Sequence, residues 1–193
     1  MPVIEAACRR CALALPQAAD HCGRCLSPRP AYDYAVAAWR YQPPLTGLVQ
    51  RYKFSADLAA GRMLAALLAQ QLCDLHTDQQ PDLLIPVPLH WTRHWRRGFN
   101  QSERLVQDLT QWLDIPWQRA LHRTRATQNQ SALLASQRSA NVRGAFTMQQ
   151  PIDAKHVVLV DDVMTTGATL NECAKVLKSA GVDRVGIWVL ARA

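Results

Sequence analysis

Apolar residues in this chain fall in short runs, separated by turns rich in Pro, Gly and charge. The clearest run is Val157-Val158-Leu159-Val160. Four apolar residues with no polar alternation predict a strand buried on both faces. Leu170, Cys173, Ala174 and Leu177 then recur at helical spacing, which predicts a helix over 168–180 stopped by Gly181, and a strand over 184–190 follows. Upstream, Leu83 to Val87 is a short buried strand bounded by prolines. Ala60, Leu64, Leu67, Leu68 and Leu72 predict a long amphipathic helix to about His76, with Asp57 as its N-cap. A strand over Tyr32–Tyr41 stopped by Pro43-Pro44, a helix over Leu45–Phe54, and a helix over Gln101–Leu113 capped by Asn100 complete the series. Shorter strands are expected over 117–122 and 144–148. Strands alternating with helices argue for an α/β fold: a mainly parallel sheet flanked by helices. The polar stretch 123–141 carries Arg123, Arg125 and Arg138 and lacks an apolar period, so it is expected to be a lid or disordered.

Composition narrows the picture. With 193 residues and 49% hydrophobic content, the chain can bury one ordinary core plus a small appendage. No apolar run approaches the roughly 20 residues that span a bilayer. Met1 to Cys11 carries Glu5 and no apolar stretch, so no signal peptide is expected, and the expectation is a soluble, cytoplasmic protein. The net charge is +7, and 18 of the 22 cations are Arg. Nine of these Arg lie between Arg93 and Arg143, against only Glu103, Asp108 and Asp114. Guanidinium forks suit phosphates and carboxylates, so an anionic ligand is expected; nucleotide, pyrophosphate and nucleic acid all fit at this point.

Four of the six cysteines form Cys8-x-x-Cys11 and Cys22-x-x-Cys25. Two such pairs can close a tetrahedral shell of four thiolates, which suits structural zinc. Disulfides and an iron–sulfur cluster are the alternatives, the former disfavoured by a reducing compartment. Gly23 is expected to ease the turn of the second pair, and His21 to stay outside the completed shell. Cys73 and Cys173 are expected to be buried thiols. Ser27-Pro28-Arg29-Pro30 reads as a stiff linker, dividing a knuckle over 1–30 from a main domain over 31–193.

The stretch from Val157 to Leu170 concentrates the chemistry. Behind the buried strand come Asp161-Asp162 and then Thr165-Thr166-Gly167-Ala168-Thr169, opening a helix. Hydroxyls and free N–H groups at a helix N-terminus hold a phosphate, and acids at the carboxyl end of a parallel strand stand where ligands of open sheets bind. Together they suit a sugar bearing a phosphate and vicinal hydroxyls. A second strand–loop–helix unit places cations instead: Pro86-Val87-Pro88, then His90, Arg93, His94, Arg96 and Arg97. The chain has no Walker motif and no Gly-x-Gly-x-x-Gly fingerprint.

The 157–170 segment resembles the phosphoribosyl-pyrophosphate (PRPP) motif of type I phosphoribosyltransferases. Tyr-Lys-Phe at 52–54, Val-Pro-Leu at 87–89, Arg-Arg-Gly-Phe-Asn-Gln at 96–101, Arg123-x-Arg125-x-Thr127-x-x-Gln130, Arg138, Asn141 and Gly144-Ala145-Phe146, with the cysteine pairs, make nearly the whole chain similar to the ComF/GntX family. The resemblance implies the following. Asp161 and Asp162 would face the ribose hydroxyls. Val163, Thr165, Thr166, Gly167, Ala168 and Thr169 would belong to the PRPP site, the loop wrapping the 5′-phosphate. Val87, Pro88 and Leu89, with Arg96 and Arg97 behind them, would form the pyrophosphate loop. Mg2+ would bridge pyrophosphate and ribose oxygens. Residues 123–140 would form a hood, within a region of about 117–148. Some relatives carry further Cys pairs, whereas this chain has one set of four.

Two functional expectations follow. In one, the protein is an enzyme of nucleotide metabolism that displaces pyrophosphate from PRPP, with Arg96 or Arg97 stabilising the leaving group and Asp161 and Asp162 favouring positive charge on the ribose. In the other, which the family resemblance favours, the protein binds PRPP or a related phosphoribosyl ligand and acts in competence, DNA uptake or use of external DNA. Single-stranded DNA or a DNA-processing protein would then be its partner.

Overall fold

In the computed structural model, which describes residues 1–55, 57–73, 80–89, 98–125 and 140–193, the apolar run of 157–160 lies at the centre of the sheet. The strands are β1 (Tyr34–Arg40), β2 (Leu83–Pro86), β3 (Leu121–Arg123), β4 (Phe146–Met148), β5 (His156–Met164) and β6 (Arg184–Arg192). The helices are α1 (Gly23–Leu26), α2 (Leu45–Phe54), α3 (Leu58–Cys73), α4 (Gln101–Leu109) and α5 (Ala168–Ser179). Four strands pair in parallel in the order β1-β6-β5-β2.

Strand β5 is buried on both faces, which is why its sequence does not alternate. Val157 and Leu159 pack into one layer with Leu170, Cys173 and Leu177 of α5. Val158 and Val160 pack into the other with Leu45, Leu64, Leu68 and Leu105 of α2, α3 and α4. Each fully buried Leu or Val contributes roughly 1.5–3 kcal/mol of burial free energy, before the entropy of ordering it is subtracted. The α3 start is capped as expected: Asp57 Oδ1 accepts from the Ala60 N–H at 3.0 Å. Gly61 sits against the Tyr52 ring, where an added Cβ would lie 2.5 Å from Cε2. This close approach lets Tyr52 lie fully buried between α2 and α3.

Several boundaries differ from the pattern. Helix α4 ends at Leu109, where the bonds tighten to i−3: the Gln111 N–H donates to the Asp108 carbonyl at 3.3 Å and the Trp112 N–H to the Leu109 carbonyl at 2.9 Å, and Trp112 is exposed. The expected strand over 117–122 is divided. Trp117 bridges Leu84 at the β2 edge, while β3 pairs antiparallel with β4 as a separate ribbon. This ribbon forms the described ends of the expected hood; residues 126–139 lie outside the described residues, as do 74–79 at the expected end of the long helix. Cys173 is buried, but Cys73 is exposed, because it falls at the last turn of α3, beyond the buried stripe.

The N-terminal segment covers the free edge of β1. Val3 bridges Trp39, the Arg40 N–H donates to the Pro2 carbonyl at 2.8 Å, and the Ala35 N–H donates to the Arg9 carbonyl at 3.2 Å. An uncovered strand edge would offer unpaired N–H and C=O groups to other chains. Among the described residues no helix is long and apolar enough to cross a membrane.

Candidate functional site

The register of the sheet brings the two sequence motifs together. Pro86 of β2 pairs with Val160 of β5, and the Val87 N–H donates to the Val160 carbonyl at 3.0 Å. The Val87-Pro88-Leu89 exit therefore stands beside Asp161-Asp162, at the carboxyl end of the sheet. Arg96 and Arg97 lie outside the described residues.

The two acids have different surroundings. Asp162 is buried, and its Oδ1 accepts from Lys53 Nζ at 2.9 Å and from the Val163 N–H at 2.6 Å. Burial would lower the pKa of Lys53, but the Asp162 charge and hydrogen bond outweigh it, and the ammonium is held above its ordinary range. Asp161 Oδ1 accepts from Ser102 Oγ at 2.8 Å and from the Asp162 N–H at 2.9 Å. Burial, then the adjacent Asp162 charge, push the Asp161 carboxyl up to about 6. One acid is thus held in an ion pair, while burial and the neighbouring charge disfavour ionisation of the other.

The residues that prepare this pair come from two other elements. Lys53 stands on the last turn of α2, where the preceding Tyr52 donates its hydroxyl to the Gln101 carbonyl at 2.8 Å. Asn100 caps α4 by accepting from the Ser102 N–H at 3.1 Å, and its Nδ2 donates to the Val87 carbonyl at 3.1 Å. Tyr52, Lys53 and Asn100, which lie within the stretches quoted above as family signatures, support the acidic pair and the β2 exit. Sequence reasoning missed Lys53 and Ser102 as site residues, although both sit in or next to those signatures. Beside the β2 exit lies a cavity of about 360 Å³, lined by Pro88, Asn100, Glu103, Arg119 and His122 among others.

After β5, the loop reaches α5 through Gly167, in the left-handed region at φ +79°. Thr166 Oγ1 accepts from the Ala168 N–H at 3.3 Å. A Cβ on Gly167 would lie 2.7 Å from Met164 Cε, the movable end of a side chain, and 3.2 Å from Tyr32 Oη, so it is the left-handed backbone angle that disfavours side chains here. The turn leaves hydroxyls and first-turn N–H groups at the positive end of a twelve-residue helix, a setting for an anion.

The four N-terminal cysteines converge: their Sγ atoms all lie within 4.8 Å of one another, and all four are buried free thiols. Cys11 Sγ and Cys22 Sγ are 3.6 Å apart, near the roughly 3.8 Å edge of a tetrahedron with metal–sulfur bonds of about 2.3 Å. The cluster could hold a metal ion. Burial raises the Cys11 and Cys25 thiols, while at Cys22 burial is outweighed by hydrogen bonds within the cluster, from Cys11 first, and that thiol is lowered. The permissive turn falls at Ala12, with φ +54°, rather than at Gly23, which begins α1. The first pair must bend back after its second cysteine, whereas the second pair bends by entering a helical turn.

Buried Arg192, at the end of β6, joins this knuckle to the loop after β5. Its Nε donates to the Cys11 carbonyl at 3.0 Å, and its Nη1 to the carbonyls of Met164, at 3.0 Å, Thr165 and Ala193. Nothing in the sequence pattern marks this arginine.

Comparison with known proteins places these features in a lineage. The Phosphoribosyl transferase domain family matches residues 58–193. Competence protein F of Haemophilus influenzae is 41% identical over 193 residues, covering 96% of this chain and 84% of that protein. DNA utilization protein YhgH of Escherichia coli is 40% identical over 189 residues, covering 96% and 83%. Competence protein ComFC of Streptococcus pneumoniae is 30% identical over 157 residues, covering 81% and 67%.

Proposed function

The chain belongs to the phosphoribosyl transferase domain family and, within it, to the ComF group, and from that premise we propose that it binds PRPP or a related phosphoribosyl ligand and acts in DNA uptake or use of external DNA. The observation that carries the ligand reading is the unequal acidic pair at the end of β5, followed by a Thr-rich loop that opens α5. Asp161 accepts from the ribose hydroxyls, and Asp162 is held in place by Lys53. Thr165, Thr166, Gly167, Ala168 and Thr169 enclose the 5′-phosphate through N–H and hydroxyl donors, with Val163 at the start of the turn. Val87, Pro88 and Leu89 meet the pyrophosphate, whose charge Arg96 and Arg97 offset. The adjacent acids at the end of β5 suit a ligand that arrives with Mg2+, which would supply neutralisation of the pyrophosphate oxygens. Four converging free thiols fit structural zinc at Cys8, Cys11, Cys22 and Cys25. The knuckle with its linker, 1–30, is a metal-dependent unit beside the phosphoribosyltransferase-like domain, 31–193, whose hood lies within about 117–148.

Calorimetry with PRPP and Mg2+ tests the site. The wild-type chain is expected to bind, and Asp161→Asn combined with Asp162→Asn to reduce affinity at least tenfold; unchanged affinity would refute the assignment. The role in DNA use rests on the names and identities of the relatives, and the +7 charge is compatible with it. Its test is single-strand binding that weakens with salt and on removing Arg96, Arg97 and Arg125. A screen for pyrophosphate release against bases decides whether the ligand is also a substrate.

A further inference from the structure

The knuckle and the two residues that follow its linker meet the phosphate-loop segment at three points. Arg192 spans the Cys11 carbonyl on one side and the Met164 and Thr165 carbonyls on the other. Tyr32, buried in the same cluster as Cys8, Cys11 and Cys25, places its hydroxyl beside Gly167, where an added Cβ would be 3.2 Å away. Ala31, directly after the linker, donates its N–H to Asn171 Oδ1, in the first turn of α5, at 2.7 Å. The Cys11 carbonyl is the only one of these contacts made by a candidate metal ligand itself, and the Ala12 turn at φ +54° sets its direction. Releasing a metal would free that turn and with it one anchor of Arg192. A guanidinium is planar and offers donors in several directions, so it can hold two backbone segments in fixed relation; an ammonium on a flexible stem cannot do so.

We infer that Arg192 is a positioning residue through which the metal-loaded cysteine knuckle holds the phosphate loop in its binding shape. Metal occupancy and phosphoribosyl-ligand affinity are therefore coupled. The inference rests on the ligand reading above. Coupling between sites is reciprocal: if metal in the knuckle tightens PRPP binding, PRPP must stabilise metal in the knuckle. The linkage appears in metal retention, with no turnover needed.

The experiment measures, at equilibrium, how zinc partitions between the full-length protein and a competing chromogenic chelator, with and without saturating PRPP and Mg2+. In the wild type, PRPP is expected to tighten zinc binding about fivefold or more, within the usual range of coupling between sites, a protection of the bound metal. The Asp161→Asn, Asp162→Asn double variant is expected to lose this protection, which separates site-bound PRPP from competition for zinc by free pyrophosphate groups. Arg192→Gln and Arg192→Lys are expected to keep one zinc per chain, to bind PRPP about fivefold more weakly, and to hold zinc with an affinity PRPP no longer changes. A wild-type chain that binds PRPP without tightening its hold on zinc at equilibrium overturns the inference and leaves the ligand reading intact. Arg192 variants that retain full protection overturn the role of Arg192. Absence of PRPP affinity in the wild type overturns the ligand reading, and the inference falls with it. If the Arg192 variants do not fold, the wild-type and double-variant arms still decide whether the coupling exists.

Discussion

The cysteine knuckle and the β5–α5 unit reach order by opposite means. In β5, Val157, Val158, Leu159 and Val160 are fully buried, and the strand is paired on both sides. Its order comes from apolar burial, and its chemistry is added at the end as two acids and a threonine loop. In the knuckle, the buried side chains are mainly the cysteines themselves, joined by a few backbone bonds such as Ala12 N–H to the Cys8 carbonyl at 2.8 Å. On the proposal that the thiolates hold zinc, its order depends on that metal. The difference contrasts a platform strand ordered by burial with a segment that has little apolar burial of its own.

The largest expected effect comes from removing the metal. For zinc-finger peptides the binding free energy is about 10–16 kcal/mol, and a knuckle without it has little else to fold on. Chelation should therefore deprotect residues 1–30 in hydrogen–deuterium exchange and loosen the β1 edge, while β5 amides stay protected. Equal deprotection of β5 would erase the contrast between the two regions. Next is Leu159→Ala, which removes a fully buried side chain from the central strand and is expected to cost about 2–5 kcal/mol in urea unfolding. A cost below about 1 kcal/mol would mean that the strand is not held by burial.

Gly167→Ala sharpens the comparison where the platform turns into the loop. It forces a side chain onto φ +79° and against Met164 Cε, so a cost of about 1–2 kcal/mol and weaker PRPP binding are expected together. Lost stability with full affinity would place the phosphate elsewhere. The smallest effect concerns pH. The folded Asp161 carboxyl titrates at about 6 against an ordinary 3.8, so it holds its proton more tightly in the folded state. The stability it contributes is full below about pH 4 and is lost as pH rises towards 6. Asp161→Asn removes that loss, so the variant should gain on the wild type in denaturant midpoint between pH 4.5 and 7. A gap that does not change with pH would show that burial and the Asp162 charge do not burden Asp161.

Much of the platform could be read from local pattern. The unbroken apolar run announced β5 because a doubly buried strand has no polar face to display. Asp57 and Asn100 announced helix starts because capping is a contact between near neighbours in sequence. Cys8, Cys11, Cys22 and Cys25 announced a cluster because two tight pairs can close only a small shell. Where local pattern misled, tertiary contacts prevailed. Residues 117–122 divided between the β2 edge and a separate ribbon, Cys73 fell beyond the buried stripe of its helix, and the knuckle turned at Ala12 instead of Gly23.

The sequence by itself determined the element types, the order of strands and helices, the acids and threonines of the β5–α5 turn, and the four-cysteine set. These depend on periodicity and on residues close together along the chain. Only the tertiary structure decided that Lys53, from a helix more than a hundred residues upstream, neutralises Asp162 while Ser102 contacts Asp161, and that Arg192 joins the knuckle to the loop. The separations are 109, 59 and up to 181 residues. Such contacts have no period and no spacing rule. They follow from the parallel register that sets Pro86 against Val160, and from the packing of α2, α4 and the knuckle onto one sheet.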